Sequence, residues 1–347
     1  MKILGIESSC DDTSVAIVNS RKEILSNVRI NQDIIHEKFK GIVPELAARN
    51  HVYQIEKVTC EALKKAGISL DEVDVVAATA GPGLIGGLLV GLSFGKTLAQ
   101  VKKIPFLAIN HLEGHALTVR LTNNIEFPYL LLLISGGHSS FYFMKGLGKY
   151  VYLGGTLDDA VGETFDKIGK VLGLKFPGGP EVEKKAINGD EKAFLFPKPL
   201  VERDNSNLNL SFSGLKSHIK AYILNNIHDL SSETYIEDIA ASFQKTISEI
   251  LNFKLKKAIN YCNKRFPDYS NVVISGGVAS NLYLRKKFIE IIKNKNKTPF
   301  IPPSNLCTDN GAMIAWAGYE KYKVGLTSSL NFKALPRWPL EMESLHE

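Results

Sequence analysis

Short apolar runs that end in small polar turns alternate along this chain with longer stretches whose apolar positions recur at helical spacing. Lys2–Ile6 reads as a strand, Glu7-Ser8-Ser9-Cys10-Asp11-Asp12 interrupts it, and Thr13–Val18 resumes the β pattern, so the chain opens on a hairpin. Polar sequence runs to Gly41, and Val43-Pro44 then opens a helix predicted to reach about Ala66. Val73–Ala78 and Ile104–Ile109 are further strands. Phe127–Ile134 leads into Ser135-Gly136-Gly137-His138, after which Phe141–Met144 resumes, repeating the strand, turn and strand of the opening. Val272–Ile274 ends in Ser275-Gly276-Gly277 and enters a helix. Other helices are predicted from Thr156, with Thr156 as cap, from the break Phe176-Pro177-Gly178-Gly179-Pro180, over Tyr235–Lys257 with Ile239, Phe243, Ile247 and Leu251 on one face, and after Cys307-Thr308-Asp309-Asn310-Gly311. The stretch from Phe194 to Leu215 has little periodicity. Its serines, Ser211 and Ser213, read either as loop donors near a site or as part of a small β excursion.

Strands alternating with helices predict an α/β fold, and 347 residues exceed what one hydrophobic core usually fills, so two domains are expected. Ile-Ser-Gly-Gly closes an apolar strand at 134–137 and again at 274–277, which suggests two related domains facing one cleft. The boundaries expected are 1–125 with a helix at 305–325 returning to it, 126–304 with an insertion at about 177–232, and a polar C-terminal tail at 326–347. A hydrophobic content of 44% with 22% charged residues is that of a globular protein. The net charge of +6 tolerates a nucleic-acid partner without establishing one. The basic segments around Lys254–Lys257, Arg285–Lys287 and Lys293–Lys297 read as solvated helix faces. Four scattered cysteines offer no disulfide framework and suit a reducing cytosol. With no leader and no apolar span, a cytoplasmic protein without membrane contact is expected.

The chemistry begins at His111-Leu112-Glu113-Gly114-His115. Histidines four apart lie on one side of a helix, so the pair reads as half of a metal site or as two hydrogen-bonded histidines near a hinge. Glu113 is not at the place a zinc-peptidase base occupies, directly after the first histidine. Asp309 is a third candidate ligand, or else the N-cap of the helix that follows it. The turn 7–12 is suited to phosphate or Mg²⁺, as any Ser/Asp-rich surface turn also is. Gly81, Gly83, Gly86, Gly87, Gly91 and Gly95 lack the spacing of a phosphate loop and read as a tight turn followed by a closely packed helix. His51 reads as structural.

Taken together, GIESSCDDTSVAI, GIVPELAARNH, AGPGLIGGLLVG, NHLEGH, LLISGGHSS, DDAVGETFDK, FPGGP, SFSGLK, ISGGVASN and CTDNGAMIAWAG closely resemble the tRNA N6-adenosine threonylcarbamoyltransferase family in its bacterial catalytic-subunit form, over about residues 1–325. The resemblance implies two tandem actin-like domains of the sugar kinase and heat-shock-chaperone ATPase superfamily, with an interdomain cleft. It implies one divalent metal, Fe²⁺ favoured and Zn²⁺ possible, on His111, His115 and Asp309. Substrate contacts carry over to Ile134, Ser135, Gly136, Gly137, His138, Asp166, Gly179 and Asn281, and Asp11 and Glu163 match further acids of the cleft. The expected reaction moves a threonylcarbamoyl group from threonylcarbamoyl-adenylate to N6 of adenosine 37 in tRNAs reading ANN codons, releasing AMP. The expected partners are tRNA, a paralogous actin-like subunit meeting the Gly86–Gly95 face, a small P-loop ATPase, and a separate synthase that supplies the adenylate. Members of the family have also been described as O-sialoglycoprotein endopeptidases, so a metal-dependent endopeptidase is one alternative. A non-catalytic nucleotide-binding scaffold is the other.

Overall fold

The computed structural model describes residues 1–39, 41–201, 207–225 and 231–341. In chain order the strands and helices are β1 (Lys2–Glu7), β2 (Thr13–Asn19), β3 (Ile24–Ile30), α1 (Asp33–Glu37), α2 (Pro44–Ala66), β4 (Val75–Gly81), α3 (Ile85–Lys102), β5 (Phe106–Asn110) and α4 (His111–Thr122). They continue with β6 (Tyr129–Ile134), β7 (Ser139–Gly146), β8 (Lys149–Gly155), α5 (Val161–Val171), α6 (Gly178–Ala186), α7 (Ser213–Asn225) and α8 (Glu233–Arg265). The last are β9 (Asn271–Ser275), α9 (Leu282–Lys293), β10 (Thr298–Phe300), α10 (Ser304–Cys307) and α11 (Gly311–Lys323). The chain divides into two compact units, one of Met1–Ile125, Leu147–Tyr150 and the chain from Asn305 onward, the other of Glu126–Gly146 and Val151–Ser304.

Each unit is built on a five-stranded sheet with the same order of strands. In the first it runs β3-β2-β1-β4-β5, with β1 antiparallel to β2 and parallel to β4, and β4 parallel to β5. In the second it runs β10-β9-β6-β7-β8, with β6 antiparallel to β7 and parallel to β9, and β9 parallel to β10. The strand, turn and strand patterns of the sequence are thus the hairpins β1–β2 and β6–β7. Strands β4, β5 and β6 are buried along their whole length, and for that reason they read as continuous apolar runs rather than as alternation.

The two Ile-Ser-Gly-Gly copies do not mark two domains. They close β6 and β9, adjacent parallel strands of one sheet, where Leu133 stands opposite Ser275. Crowding there demands a glycine in the β9 copy, at Gly276. Gly276 has φ 96°, and a Cβ on it would strike the carbonyl oxygen of Ile134. The true counterpart of β6 in the repeated topology is β1.

Helix α2 begins with Pro44 at its first turn and ends on Gly67 in the left-handed conformation, φ 66°. The glycine-rich face of α3 is used inside the unit: Gly87, Gly91 and Gly95 are buried, and a Cβ on Gly87 or Gly91 would collide with Ser8. That face is closed to a paralogous subunit, whereas Ile85, Leu89 and Val101 of the same helix are exposed. Helix α5 starts at Val161 with Ala160 as N-cap, not at Thr156. Thr156 instead donates its hydroxyl to the Asp159 carbonyl at 2.7 Å, and Asp158 accepts from Ser211 Oγ at 2.6 Å, Ser213 Oγ at 2.7 Å and Phe212 N at 2.8 Å. The serines of that stretch therefore tie it to the 156–160 loop. Of the β excursion read from sequence only the isolated Thr156–Leu210 bridge forms, and Ser213 begins α7.

The segment after α11, read from sequence as a polar tail, packs on the first unit through Glu341. Leu335 N donates to Ala80 O at 2.7 Å, Gly83 N to Pro336 O at 3.2 Å, and Asn110 Nδ2 to Trp338 O at 3.1 Å. Trp338, 4% exposed, joins a core of Leu4, Ile6, Ile17, Val58, Val76 and Phe106. No helix among the described residues is long and apolar enough to cross a membrane. We expect Trp338→Ala to destabilise the protein by about 3–5 kcal/mol, the usual cost of emptying a large aromatic site, measured by urea denaturation. An unchanged midpoint would show that this segment is not part of the core.

Candidate metal centre

Strand β5 ends in Asn110, whose side chain caps α4 by accepting from Leu112 N at 2.9 Å and Glu113 N at 3.4 Å. The helix therefore starts at His111, and His111 and His115 stand one turn apart on the same face. The cap of α11 is Asn310, which accepts from Met313 N at 3.0 Å and donates to Thr308 O at 2.8 Å. Asp309 is thereby spared the capping role. Its Oδ1 lies 3.0 Å from His115 Nε2 and 3.5 Å from His111 Nε2. One donor atom from each of the three residues falls within 4.8 Å of the others, the one such candidate group among the described residues.

A residue that the sequence did not assign to this centre completes it. Glu7, wholly buried at the end of β1, places Oε2 3.0 Å from His111 Nδ1. Ser9 Oγ lies 3.1 Å from the same nitrogen, Ser9 N donates to Glu7 Oε1 at 2.6 Å, and Thr79 Oγ1 donates to Glu7 Oε2 at 2.5 Å. A carboxylate on Nδ1 fixes the ring and directs Nε2 at Asp309. Burial alone would lower the His111 pKa, but the charges of Asp309 and Glu7 outweigh it and raise it to about 9. Burial works to raise Asp309 and Glu7 as well, yet the neighbouring imidazoles hold both carboxyls below their ordinary values.

Two imidazole nitrogens and one carboxylate oxygen aimed at one another, with one ring held from behind by a second carboxylate, fit a divalent cation. Glu113 takes no part. It is buried on another side of α4, where its Oε1 accepts from Tyr150 Oη at 2.6 Å and its Oε2 lies 3.1 Å from Lys321 Nζ. Asp11 stands in the turn after β1 outside the donor group, its carboxyl raised by burial and by the charge of Asp309.

The other candidate positions lie in the second unit. Ile134 is buried at the end of β6, Ser135 N donates to His138 O at 2.7 Å, and His138 N donates to Ser135 Oγ at 3.2 Å. Between them Gly136 and Gly137 are exposed, and a Cβ on either would meet nothing. Glu163, near the start of α5, pairs with Lys167 at 2.6 Å. Asp166 Oδ1 accepts from Gly178 N at 2.8 Å and Gly179 N at 3.3 Å, which holds the first turn of α6, and Gly179 also has open space where a side chain would be. Asn281 caps α9 by accepting from Leu284 N at 2.9 Å and donates to Gln244 Oε1 at 2.7 Å. Its amide is thus engaged at both ends within the unit.

Comparison with known proteins identifies the family. Residues 23–316 match the family described as tRNA N6-adenosine threonylcarbamoyltransferase. The chain is 52% identical over 341 residues to the protein of that name from Rickettsia bellii, covering 98% of this chain and 99% of the relative. The Rickettsia rickettsii protein of the same name is 52% identical over 344 residues, with 98% of each chain covered. Among solved structures, HypF of T. kodakarensis is similar with a TM-score of 0.59 at 14% identity, over 93% of this chain and 48% of that one. Component A of the Acidaminococcus fermentans (R)-2-hydroxyglutaryl-CoA dehydratase has a TM-score of 0.53 at 16% identity, over 93% and 99%. These two likenesses show the fold alone, an α/β architecture, and nothing about chemistry. The sequence matches, over nearly the whole chain, establish that it belongs to the tRNA N6-adenosine threonylcarbamoyltransferases, the enzymes that transfer a threonylcarbamoyl group to adenosine 37 of tRNA.

Proposed function

We propose that the donor is threonylcarbamoyl-adenylate and that N6 of adenosine 37, in cytoplasmic tRNAs reading ANN codons, attacks its carbamoyl carbon directly. The new N–C bond forms as the C–O bond to the phosphate breaks, AMP leaves with that electron pair, and N6 gives up one proton. The observation that carries this reading is the convergence of His111, His115 and Asp309, with Glu7 behind His111. A divalent ion held there, Fe²⁺ by preference for a two-imidazole, one-carboxylate set and Zn²⁺ as the other match, would orient the donor and polarise its carbonyl. The target base lies in a single-stranded loop, which lowers the cost of presenting it.

On this reading the amides of Gly136 and Gly137 are offered to the phosphate of the departing AMP, as in other glycine turns that receive anions. Asp166 and Gly179 shape the first turn of α6, and Asn281 that of α9, so their proposed part in donor binding is carried by the backbone they place. His138 is assigned to the same turn. Of the two further acids, Asp11 is the better proton carrier, because Glu163 is paired with Lys167. An endopeptidase is disfavoured, since Glu113 is committed to Tyr150 and Lys321. A mere scaffold is disfavoured by the intact donor set. We further propose as partners a paralogous actin-like subunit, a small P-loop ATPase and a separate synthase for the adenylate.

His111→Ala/His115→Ala protein should lose bound metal and tRNA modification together, read by elemental analysis and by nucleoside analysis of the tRNA. Undiminished metal content would remove the centre from the reading.

A pH dependence follows from His111. Its raised pKa adds stability to the metal-free protein fully below about pH 6.5 and loses it as pH rises through about 9. A metal needs the ring neutral, so binding at neutral pH releases a proton. Apparent affinity should rise roughly tenfold per pH unit between about 6.5 and 9. Calorimetry in buffers of different ionisation heat should register about one proton released; none released would contradict the assignment.

Gly137→Val tests the turn without disturbing the fold. Because a side chain there meets nothing, thermal stability should stay within about 0.5 kcal/mol of the parent while donor affinity falls at least about tenfold. Donor binding at the original strength would exclude the turn from the site.

A further inference from the structure

Among the buried acids that the proposed reaction leaves unused is Glu113. Glu113 lies on α4 between the two histidines and belongs to no part of the donor set. Its side chain is wholly buried and reaches Lys321 Nζ on α11 at 3.1 Å, with Tyr150 Oη at 2.6 Å on its other oxygen. A buried ion pair is a poor device for stability alone, since apolar groups of similar volume often do as well. What this pair joins is more telling. Helix α4 carries both imidazoles, and α11 begins two residues after Asp309.

The two helices also pack tightly beside the ligands. A Cβ on Gly114 would lie 2.9 Å from Ile314 Cδ1 and 3.2 Å from Met313 Cγ. That contact fixes their separation and leaves rotation of α4 about its own axis to be set by something else. The Glu113–Lys321 pair is placed to be one such restraint, on the side of α4 away from Glu7. Further along α4, Arg120 meets Glu320 with Nε–Oε1 at 3.0 Å and Nη2–Oε2 at 3.3 Å, so consecutive residues of α11 grip α4 about two turns apart. The first grip lies between the ligands and the second lies beyond them.

We infer that Glu113, through Lys321, is a positioning residue for the metal centre: it touches no ion, but it sets the angle at which His111 and His115 face Asp309. The inference rests on the metal reading given above. Its test is Co²⁺ titration of the metal-stripped full chain, followed by visible absorption, alongside denaturation of the same samples. Glu113→Gln and Lys321→Met should each bind Co²⁺ about 10- to 100-fold more weakly and with altered d–d bands. Lys321→Arg, which keeps the charge, should retain the parent spectrum. Glu320→Gln should lower the denaturation midpoint yet leave Co²⁺ affinity and bands unchanged. Should a single variant fail to fold, Glu113→Leu/Lys321→Met removes both charges together and is read in the same way. Parent-like affinity and spectrum in the folded Glu113 and Lys321 variants would overturn the inference, as would an equal loss in Glu320→Gln, which would mean that affinity only follows stability. A parent chain that takes up no Co²⁺ would instead bring down the metal reading itself, and this inference with it.

Discussion

A carboxylate with no exposure to water is stable only where donors meet it, and Glu7 is met by Ser9 N, Thr79 Oγ1 and His111 Nδ1. These groups come from the ends of three neighbouring strands. Glu7 closes β1, Thr79 lies near the end of β4, and His111 follows the last residue of β5, all parallel and side by side. Sheet register therefore decides where the imidazole sits. A one-residue slip of β5 would move both the Asn110 cap and the ring, leaving Glu7 without its imidazole partner.

The second unit uses the same strand order for a different end. Where β1 delivers a buried acid, β6 delivers Ser135 followed by two exposed glycines, and the neighbouring β9 has room only for Gly276. Parallel strands finish at a common edge with their next amides turned outward, so that edge is chemically available in both units. One unit fills it with charge that orients a metal ligand. The other leaves it as bare backbone.

Much of this was legible beforehand because it depends on local spacing. Fully buried strands announce themselves as apolar runs, Pro44 and Gly67 bracket α2, and the four-residue interval of His111 and His115 needs only a helix to become a shared face. The cap reading of Asp309 failed because of its neighbour: an asparagine at the next position caps instead and leaves the acid beside the two histidines. What could not be read depends on register or on backbone alone. Glu7 is one acid in a turn of three until β1, β4 and β5 are aligned. The docking of 335–338 uses its own main-chain groups, Leu335 N donating to Ala80 O and the carbonyls of Pro336 and Trp338 accepting from Gly83 N and the Asn110 side chain, which leave little periodic trace. Thr156 is a good capping residue that lost to the demand of Asp158 for the amide and hydroxyls of 211–213. The glycines of α3 announced close packing without naming the surface packed against, and it proved to be the chain's own Ser8 for Gly87 and Gly91, Ala48 for Gly86 and Ala78 for Gly95.

The discontinuous make-up of the first unit has a consequence for the order in which the protein is made. His115 and Asp309 are 194 positions apart, and nearly all of the second unit is encoded between them. On the ribosome both histidines, and the Glu7 that aims one of them, emerge long before their third companion. Until translation reaches α11, the nascent chain holds two imidazoles and a buried acid with no carboxylate opposite. Any metal selection by the full donor set would thus wait until the second unit has been synthesised, and a polypeptide released early would lack Asp309 beside the two histidines.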